Sequence, residues 1–123
     1  MKLAWRVRLS ESAEQDYRNI LRWTQTRFGP QQAKTYADTL ASALRDLGAG
    51  PSLMGAKPRD DIGPGMHVLH VARNGRKGRH FVLFRVETAQ APHAIDVLRL
   101  LHDSMDLPRH GPAMGDDRGS GQE

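Results

Sequence analysis

The sequence predicts an α+β fold in which a helical hairpin packs on one face of a four-stranded sheet. Apolar residues alternate with cations from Leu3 to Leu9, which is typical of a strand with one buried face. Two segments with helical periodicity follow, joined only by Gly29-Pro30, and three strand-like runs separated by turn residues begin at Met66. The predicted order is therefore strand, helical hairpin and three-stranded antiparallel meander.

The composition fits one small domain. The chain has 123 residues, 38% of them apolar, and we expect the domain to span residues 1–108 and a flexible C-terminal tail to occupy residues 109–123. Cysteine is absent, which excludes disulfides and thiolate zinc sites. No apolar run approaches the thickness of a bilayer, and Met1-Lys2 leads directly into a strand pattern instead of a signal peptide. We therefore expect a cytoplasmic protein with no membrane partner.

The first strand and the first helix each have one apolar face. Trp5 falls on the apolar face of the strand and is assigned to the core. A helix is predicted from Ser12 to Arg27, because Ser12-Ala13-Glu14-Gln15 has the form of a capping box. Its apolar stripe is Ala13, Tyr17, Ile20, Leu21, Thr24 and Phe28. Its exposed face is Asp16, Arg18, Asn19, Arg22 and Gln25.

The second helix begins at Pro30, a residue favoured in the first turn, and we expect Gly48 to provide its left-handed C-cap. Because the connection is so short, the two helices must form an antiparallel hairpin. Tyr17 and Tyr36 fall on the inward stripes, so we interpret them as core residues and not as catalytic phenols.

The second half of the chain predicts a loop and then strands. Residues 49–65 contain three prolines and four glycines and are interpreted as loop. One strand from Met66 to Ala72 and another from His80 to Val86 flank the turn residues Asn74-Gly75. Alternation in the second of these strands places Phe81 and Leu83 on one face and Phe84 and Val86 on the other.

The last strand is interpreted as internal to the sheet. It follows a turn near Ala91-Pro92, and its aliphatic residues do not alternate strictly, which is typical of a strand covered on both faces. These residues are Ile95, Val97, Leu98, Leu100 and Leu101. Arg99 lies within the run and must reach a sheet edge, a partner or water, because an unpaired buried charge is costly.

Charge and histidine spacing restrict the choice of partners. The formal net charge is +4, and the stretch from His67 to Arg85 has five cations and no acid, which favours an acidic partner. The exposed faces of both helices mix acids with bases, so no DNA-recognition helix is predicted. His67 and His70 are three residues apart, which places them on opposite faces of a strand and argues against a shared metal ion. No cofactor-binding motif is present.

Three segments carry a family resemblance: I-G-P-G-M-H-V-L at 62–69, R-H-F-V-L-F-R-V at 79–86 and I-D-V-L-R-L-L-H-D-S-M-D-L-P-R-H at 95–110. The chain resembles the ParE and RelE superfamily of type II toxin–antitoxin toxins, and ParE in particular, over about residues 3–110. The resemblance implies a cofactor-free toxin that inhibits DNA gyrase by binding and is neutralised by a cognate antitoxin. Many ParE-like chains have Gly-Leu-Arg where this one has Gly65-Met66-His67, so a titratable histidine replaces a permanent cation.

For a ParE-like toxin we expect a groove where the hairpin meets the sheet. An antitoxin would bind there through an amphipathic helix and an extended segment, which gives a toxin–antitoxin hetero-oligomer. Sequence-specific DNA reading would belong to the antitoxin and not to this chain. No catalytic residue is expected. The candidate residues for binding the antitoxin or the target are His67, Arg73, Arg79, Arg85, Arg99 and His102.

The RelE branch, which cleaves mRNA on the ribosome, supplies an alternative. Cleavage needs a base for the 2′-hydroxyl, cations for the phosphate and an acid for the leaving oxygen. Here Phe81 occupies the position of a RelE-like arginine, and no tyrosine follows Tyr36. His102 would therefore have to serve, with Arg85, Arg99 and Arg79 as possible phosphate-binding cations. A third alternative is a degenerate member that binds its antitoxin and has lost toxicity.

Overall fold

The computed structural model describes residues 5–89 and 93–105. Its elements are β1 (Arg6–Leu9), α1 (Glu11–Phe28), α2 (Pro30–Asp46), β2 (Lys57–Pro58), β3 (Met66–His70), β4 (His80–Glu87) and β5 (Ala94–His102). Leu3, the predicted turn near Ala91-Pro92 and the predicted tail lie outside the described residues. In the part of the chain that is described, neither helix is apolar enough over a sufficient length to cross a membrane.

The strands form one mixed sheet in the order β1-β5-β4-β3-β2. β3, β4 and β5 form the predicted antiparallel meander, and β1 pairs with β5 in parallel, so β5 is internal as predicted. The sheet has five strands and not the predicted four, because Lys57–Pro58 within the predicted loop pairs with β3. Proline is tolerated there because an edge strand leaves one side without ladder hydrogen bonds.

The two faces of the sheet contribute to two apolar clusters. The helix-side cluster joins α1 and α2 to the sheet and includes Ala13, Leu40, Ala43, Leu47, Leu69, Val71, Val82 and Phe84. The opposite cluster contains Ile62, Met66, Val68, Leu83 and Leu101. In β4, Phe84 and Val86 pack with the first cluster while Phe81 and Leu83 pack with the second, which confirms the predicted alternation.

A β-bulge explains the irregular pattern of the last strand. Leu83 pairs with Arg99 and Phe84 pairs with Val97, so Leu98 is an extra residue in β5. The extra residue changes the phase of alternation. Before the bulge, Val97 packs with the helix-side cluster, and after it Leu100 does.

The helix ends differ from the prediction. The N-cap of α1 is Ser10 and not Ser12, and the Ser10 hydroxyl accepts a hydrogen bond from the Ala13 N–H at 3.0 Å. Phe28 is 61% exposed instead of buried, because it is the last residue of α1, beside the turn at Gly29. Gly48 is not the cap of α2, because a 3₁₀ turn at Leu47–Ala49 continues the helix to Gly50, whose φ is 98°.

Trp5 packs against the helix-side cluster, as predicted. It also restricts Gly50, because a Cβ at that position would lie 2.5 Å from Trp5 Nε1. Position 50 therefore requires glycine for two reasons, the positive φ and the close Trp5 indole.

Candidate functional site

Six polar side chains meet where β3 and β5 end and β4 begins. They are Tyr36, His70, Arg79, His80, His102 and Asp103, and we call them the strand-end cluster. The antiparallel register brings them together, because His80 at the start of β4 pairs with His102 at the end of β5. The two imidazole rings make an edge-to-face contact with centroids 5.3 Å apart.

Asp103 is the anion of the strand-end cluster. Its carboxylate accepts hydrogen bonds from Arg79 Nε at 3.1 and 3.2 Å and from His70 Nε2 at 2.9 Å. The Ala72 N–H donates to His70 Nδ1 at 3.0 Å, so the ring proton of neutral His70 lies on Nε2 and points to Asp103. Arg79 first and His70 second lower the pKa of Asp103 to about 2, so the aspartate is ionised at neutral pH.

Tyr36 joins α2 to the strand-end cluster. Its hydroxyl oxygen accepts a hydrogen bond from the Arg79 N–H at 3.0 Å and lies 2.7 Å from His80 Nδ1. The hydroxyl proton is therefore available to Nδ1, which suits a neutral imidazole. Burial, followed by the neighbouring His102, lowers the pKa of His80 to about 4. Tyr36 packs against the core as predicted, but its hydroxyl is part of a polar network that the sequence did not indicate.

The His102 side chain is partly exposed, with a relative exposure of 39%. The Ser104 N–H donates to His102 Nδ1 at 3.1 Å, which leaves the proton of the neutral ring on Nε2. Such an imidazole can transfer protons, but the neighbouring cation, Arg79, is bound to Asp103. The arrangement joins the ends of three strands to α2 and provides little uncompensated positive charge for a phosphate.

The four candidate arginines lie in different surroundings, and three of them are paired with aspartates of the chain. Arg73 donates to Asp46 at the end of α2 at 3.1 Å, and Arg79 is bound to Asp103. Arg99 donates to Asp16 at 2.7 and 3.0 Å. Arg85 is exposed on the sheet face opposite the helices, because its neighbours in β4 pack toward the helices. The helices pack directly on the sheet through the helix-side cluster.

Asp16, like Asp103 of the strand-end cluster, is not among the site residues that the sequence predicts. The helical spacing places it on the exposed face of α1, but its carboxylate binds Arg99 and also accepts the Leu100 N–H at 2.9 Å. Its spacing contained a signal, because Ala13, Asp16 and Ile20 are three and four residues apart and share a helix face. The requirement that Arg99 find a partner is met by this carboxylate.

His67 and His70 lie on opposite faces of β3, as their spacing requires. The His67 ring stacks on Phe84 of the helix-side cluster, with centroids 5.4 Å apart. The His70 ring contacts the edge of Phe81, which packs with the opposite cluster. The two imidazoles therefore belong to different surfaces of the protein.

Two helices packed on one face of a mixed five-stranded sheet define a small α+β fold. A solved structure titled "Chromosomal ParDE TA system from P. aeruginosa" has the same fold, with a TM-score of 0.65, 18% identity and coverage of 80% of this chain and 95% of that one.

The family follows from the sequence comparisons. Residues 7–107 match the family model described as "ParE toxin of type II toxin-antitoxin system, parDE", and the chain belongs to this family. It is 32% identical to Toxin ParE1 of Mycobacterium tuberculosis (strain CDC 1551 / Oshkosh), over 85% of this chain and 96% of that protein. It is 27% identical to Toxin ParE1 of Caulobacter vibrioides, over 84% of this chain and 94% of that protein.

Proposed function

We propose that this ParE-family toxin inhibits DNA gyrase by binding it, and that a cognate antitoxin neutralises the toxin by forming a hetero-oligomer with it. The proposal locates the protein in the cytoplasm and assigns it no catalytic residue and no cofactor. Family membership supports the toxin class. The geometry around His102 supports binding over cleavage.

The separation of the candidate cleavage residues is the observation that favours binding over mRNA cleavage. Arg85 is five residues from His80, the pairing partner of His102, which corresponds to roughly 16 Å along the strand, and it lies on the other face of the sheet. Arg99 is bound to Asp16 and Arg79 is bound to Asp103. A cleavage site would need its acid, base and phosphate-binding cations around one phosphate. Arg85 and Arg99 do not converge on His102 in that way, and the nearby Arg79 is already paired with Asp103.

A supercoiling assay with purified gyrase tests the proposal. We expect the toxin to reduce ATP-dependent supercoiling of relaxed plasmid in a dose-dependent manner, and a cognate antitoxin to restore it. The control is Met54→Ala, which removes an exposed apolar side chain outside the candidate residues and should inhibit gyrase as well as the wild type does.

Unchanged supercoiling at a large excess of toxin would contradict the gyrase proposal. Transcript cleavage during translation, lost in His102→Ala, would establish the endonuclease alternative instead. Expression without growth arrest would indicate the degenerate alternative.

A further inference from the structure

The C-terminal part of α1 carries two exposed aromatic side chains. Trp23 is 55% exposed and Phe28 is 61% exposed. Their rings contact each other edge to face, with centroids 5.9 Å apart, so they form one apolar surface and not two isolated residues. The Arg27 guanidinium lies 5.3 Å from the centre of the Trp23 ring. Exposed tryptophan and arginine in contact are typical of the residues that dominate binding energy at protein interfaces.

The same surface is positively charged without compensation. Residues 18–34, which we call the hairpin tip, contain four cations and no acid: Arg18, Arg22, Arg27 and Lys34. Arg18 and Arg22 donate only to the neutral side chains of Gln15 and Asn19. Within residues 5–89 and 93–105, none of the four pairs with a carboxylate. Arg73, Arg79 and Arg99, in contrast, are each neutralised by an aspartate of the chain.

We infer that the hairpin tip binds an acidic, apolar segment of the antitoxin. This inference rests on the proposed function, and it replaces the helix–sheet groove with the outer end of the helical hairpin as the docking surface. Carboxylates of the segment would approach Arg22 and Arg27, while its apolar side chains would cover Trp23 and Phe28. A second copy of this chain is disfavoured, because two hairpin tips would bring eight like charges together, four from each copy.

The binding affinity of the purified antitoxin for toxin variants tests the inference. Trp23→Ala with Phe28→Ala should weaken binding roughly tenfold or more, because truncation removes two aromatic anchors. The control is Met54→Ala, which removes another apolar side chain, 86% exposed, from a distant loop and should leave the affinity unchanged. Melting temperatures establish that the variants are folded.

A charge pair supplies an independent test. Arg22→Gln with Arg27→Gln should slow association and weaken its dependence on salt, because two cations that attract the antitoxin are lost. Arg76→Gln with Lys77→Gln removes the same charge from the exposed turn between β3 and β4 and should change the association rate less.

The outcomes separate the docking surface from the function. If wild-type toxin and all variants bind the antitoxin equally, the docking surface is wrong while the antitoxin proposal stands. If the antitoxin does not bind the wild-type toxin, the antitoxin part of the proposed function fails, and the docking surface fails with it. If the hairpin-tip variants lost gyrase inhibition but bound the antitoxin with unchanged affinity, the hairpin tip would be a gyrase-binding surface and the inference would be wrong. Concentration-dependent dimers that disappear in Trp23→Ala with Phe28→Ala would also contradict it.

Discussion

At the scale of single residues, paired charges explain why a cation is tolerated in an internal strand. Arg99 donates two hydrogen bonds to Asp16, and the same carboxylate accepts the Leu100 N–H. Asp16 therefore satisfies a side-chain cation and a backbone donor of β5 together. A partly buried charge needs such a partner, because desolvation without compensation is costly.

Arg99→Ala should lower the free energy of unfolding by about 2 kcal/mol, since it breaks charge-assisted hydrogen bonds and leaves a partly buried carboxylate unpaired. Arg85→Ala is the matched control, because Arg85 is exposed and its loss should cost at most about 0.5 kcal/mol. Urea unfolding of both variants measures these changes. Adding Asp16→Ala and the double variant Asp16→Ala with Arg99→Ala measures the coupling energy between Asp16 and Arg99. Equal stability of the two arginine variants would show that the Asp16 pair is not structural.

At the scale of elements, the start of α1 is attached to the bulge of β5. The Ser10 hydroxyl accepts the Ala13 N–H and donates to the Leu98 carbonyl at 3.0 Å. The Ser10 N–H donates to the Val97 carbonyl at 2.9 Å. One residue thus caps the helix and satisfies carbonyl groups at the irregular part of the strand. The bulge and the helix position each other.

Ser10→Ala and Ser12→Ala distinguish the observed cap from the predicted one. We expect Ser10→Ala to destabilise the domain by about 1 kcal/mol or somewhat more, because it removes an N-cap and leaves the Leu98 carbonyl without the hydroxyl. Ser12 is exposed within α1, where alanine is at least as favourable. Thermal unfolding of the two variants measures the difference. If Ser12→Ala lowered the melting temperature more than Ser10→Ala does, Ser12 would be the N-cap, as the sequence predicts.

At the scale of the whole molecule, the end of the meander is held to α2 through the strand-end cluster. Tyr36 bridges from the helix to His80 and Arg79, and Asp103 connects Arg79 with His70. Three strands and one helix therefore depend on the protonation of a few side chains. The global stability should respond to pH as a result.

Stability should fall as the pH is lowered from about 6.5 toward 4. The pKa of His80 is lowered from 6.5 to about 4 in the folded protein, mainly by burial, so in this window the unfolded chain binds a proton that the native His80 does not. The free energy of unfolding therefore rises with pH there. The lowered pKa of Asp103, about 2, affects stability only below its ordinary value of 3.8.

His80→Asn should flatten this pH dependence, as measured by urea midpoints between pH 4 and 7. His93→Asn is the control, because His93 is exposed and lies outside the strand-end cluster. If stability depended on pH equally in His80→Asn and in the wild type, a group other than His80 would cause the pH dependence.

Periodicity was sufficient to predict much of the fold. The two helices, the meander, the internal position of β5 and the two faces of β4 all follow from local spacing, because spacing determines which side chains share a face. The two-residue strand at Lys57–Pro58 was missed, since a segment so short has no detectable period. The family segments predicted the toxin family that the sequence comparisons show.

The surface arrangement required the tertiary structure. The sequence determined how many cations the protein has, while the folded chain decided which of them are neutralised. Asp16 and Arg99 are 83 residues apart, and Arg79 and Asp103 are 24 apart, so no local rule relates them. Phe28 lies in an apolar stripe, yet the end of α1 leaves it exposed beside Trp23. Periodicity assigns a residue to a face of its own element, but only packing decides whether another element covers that face.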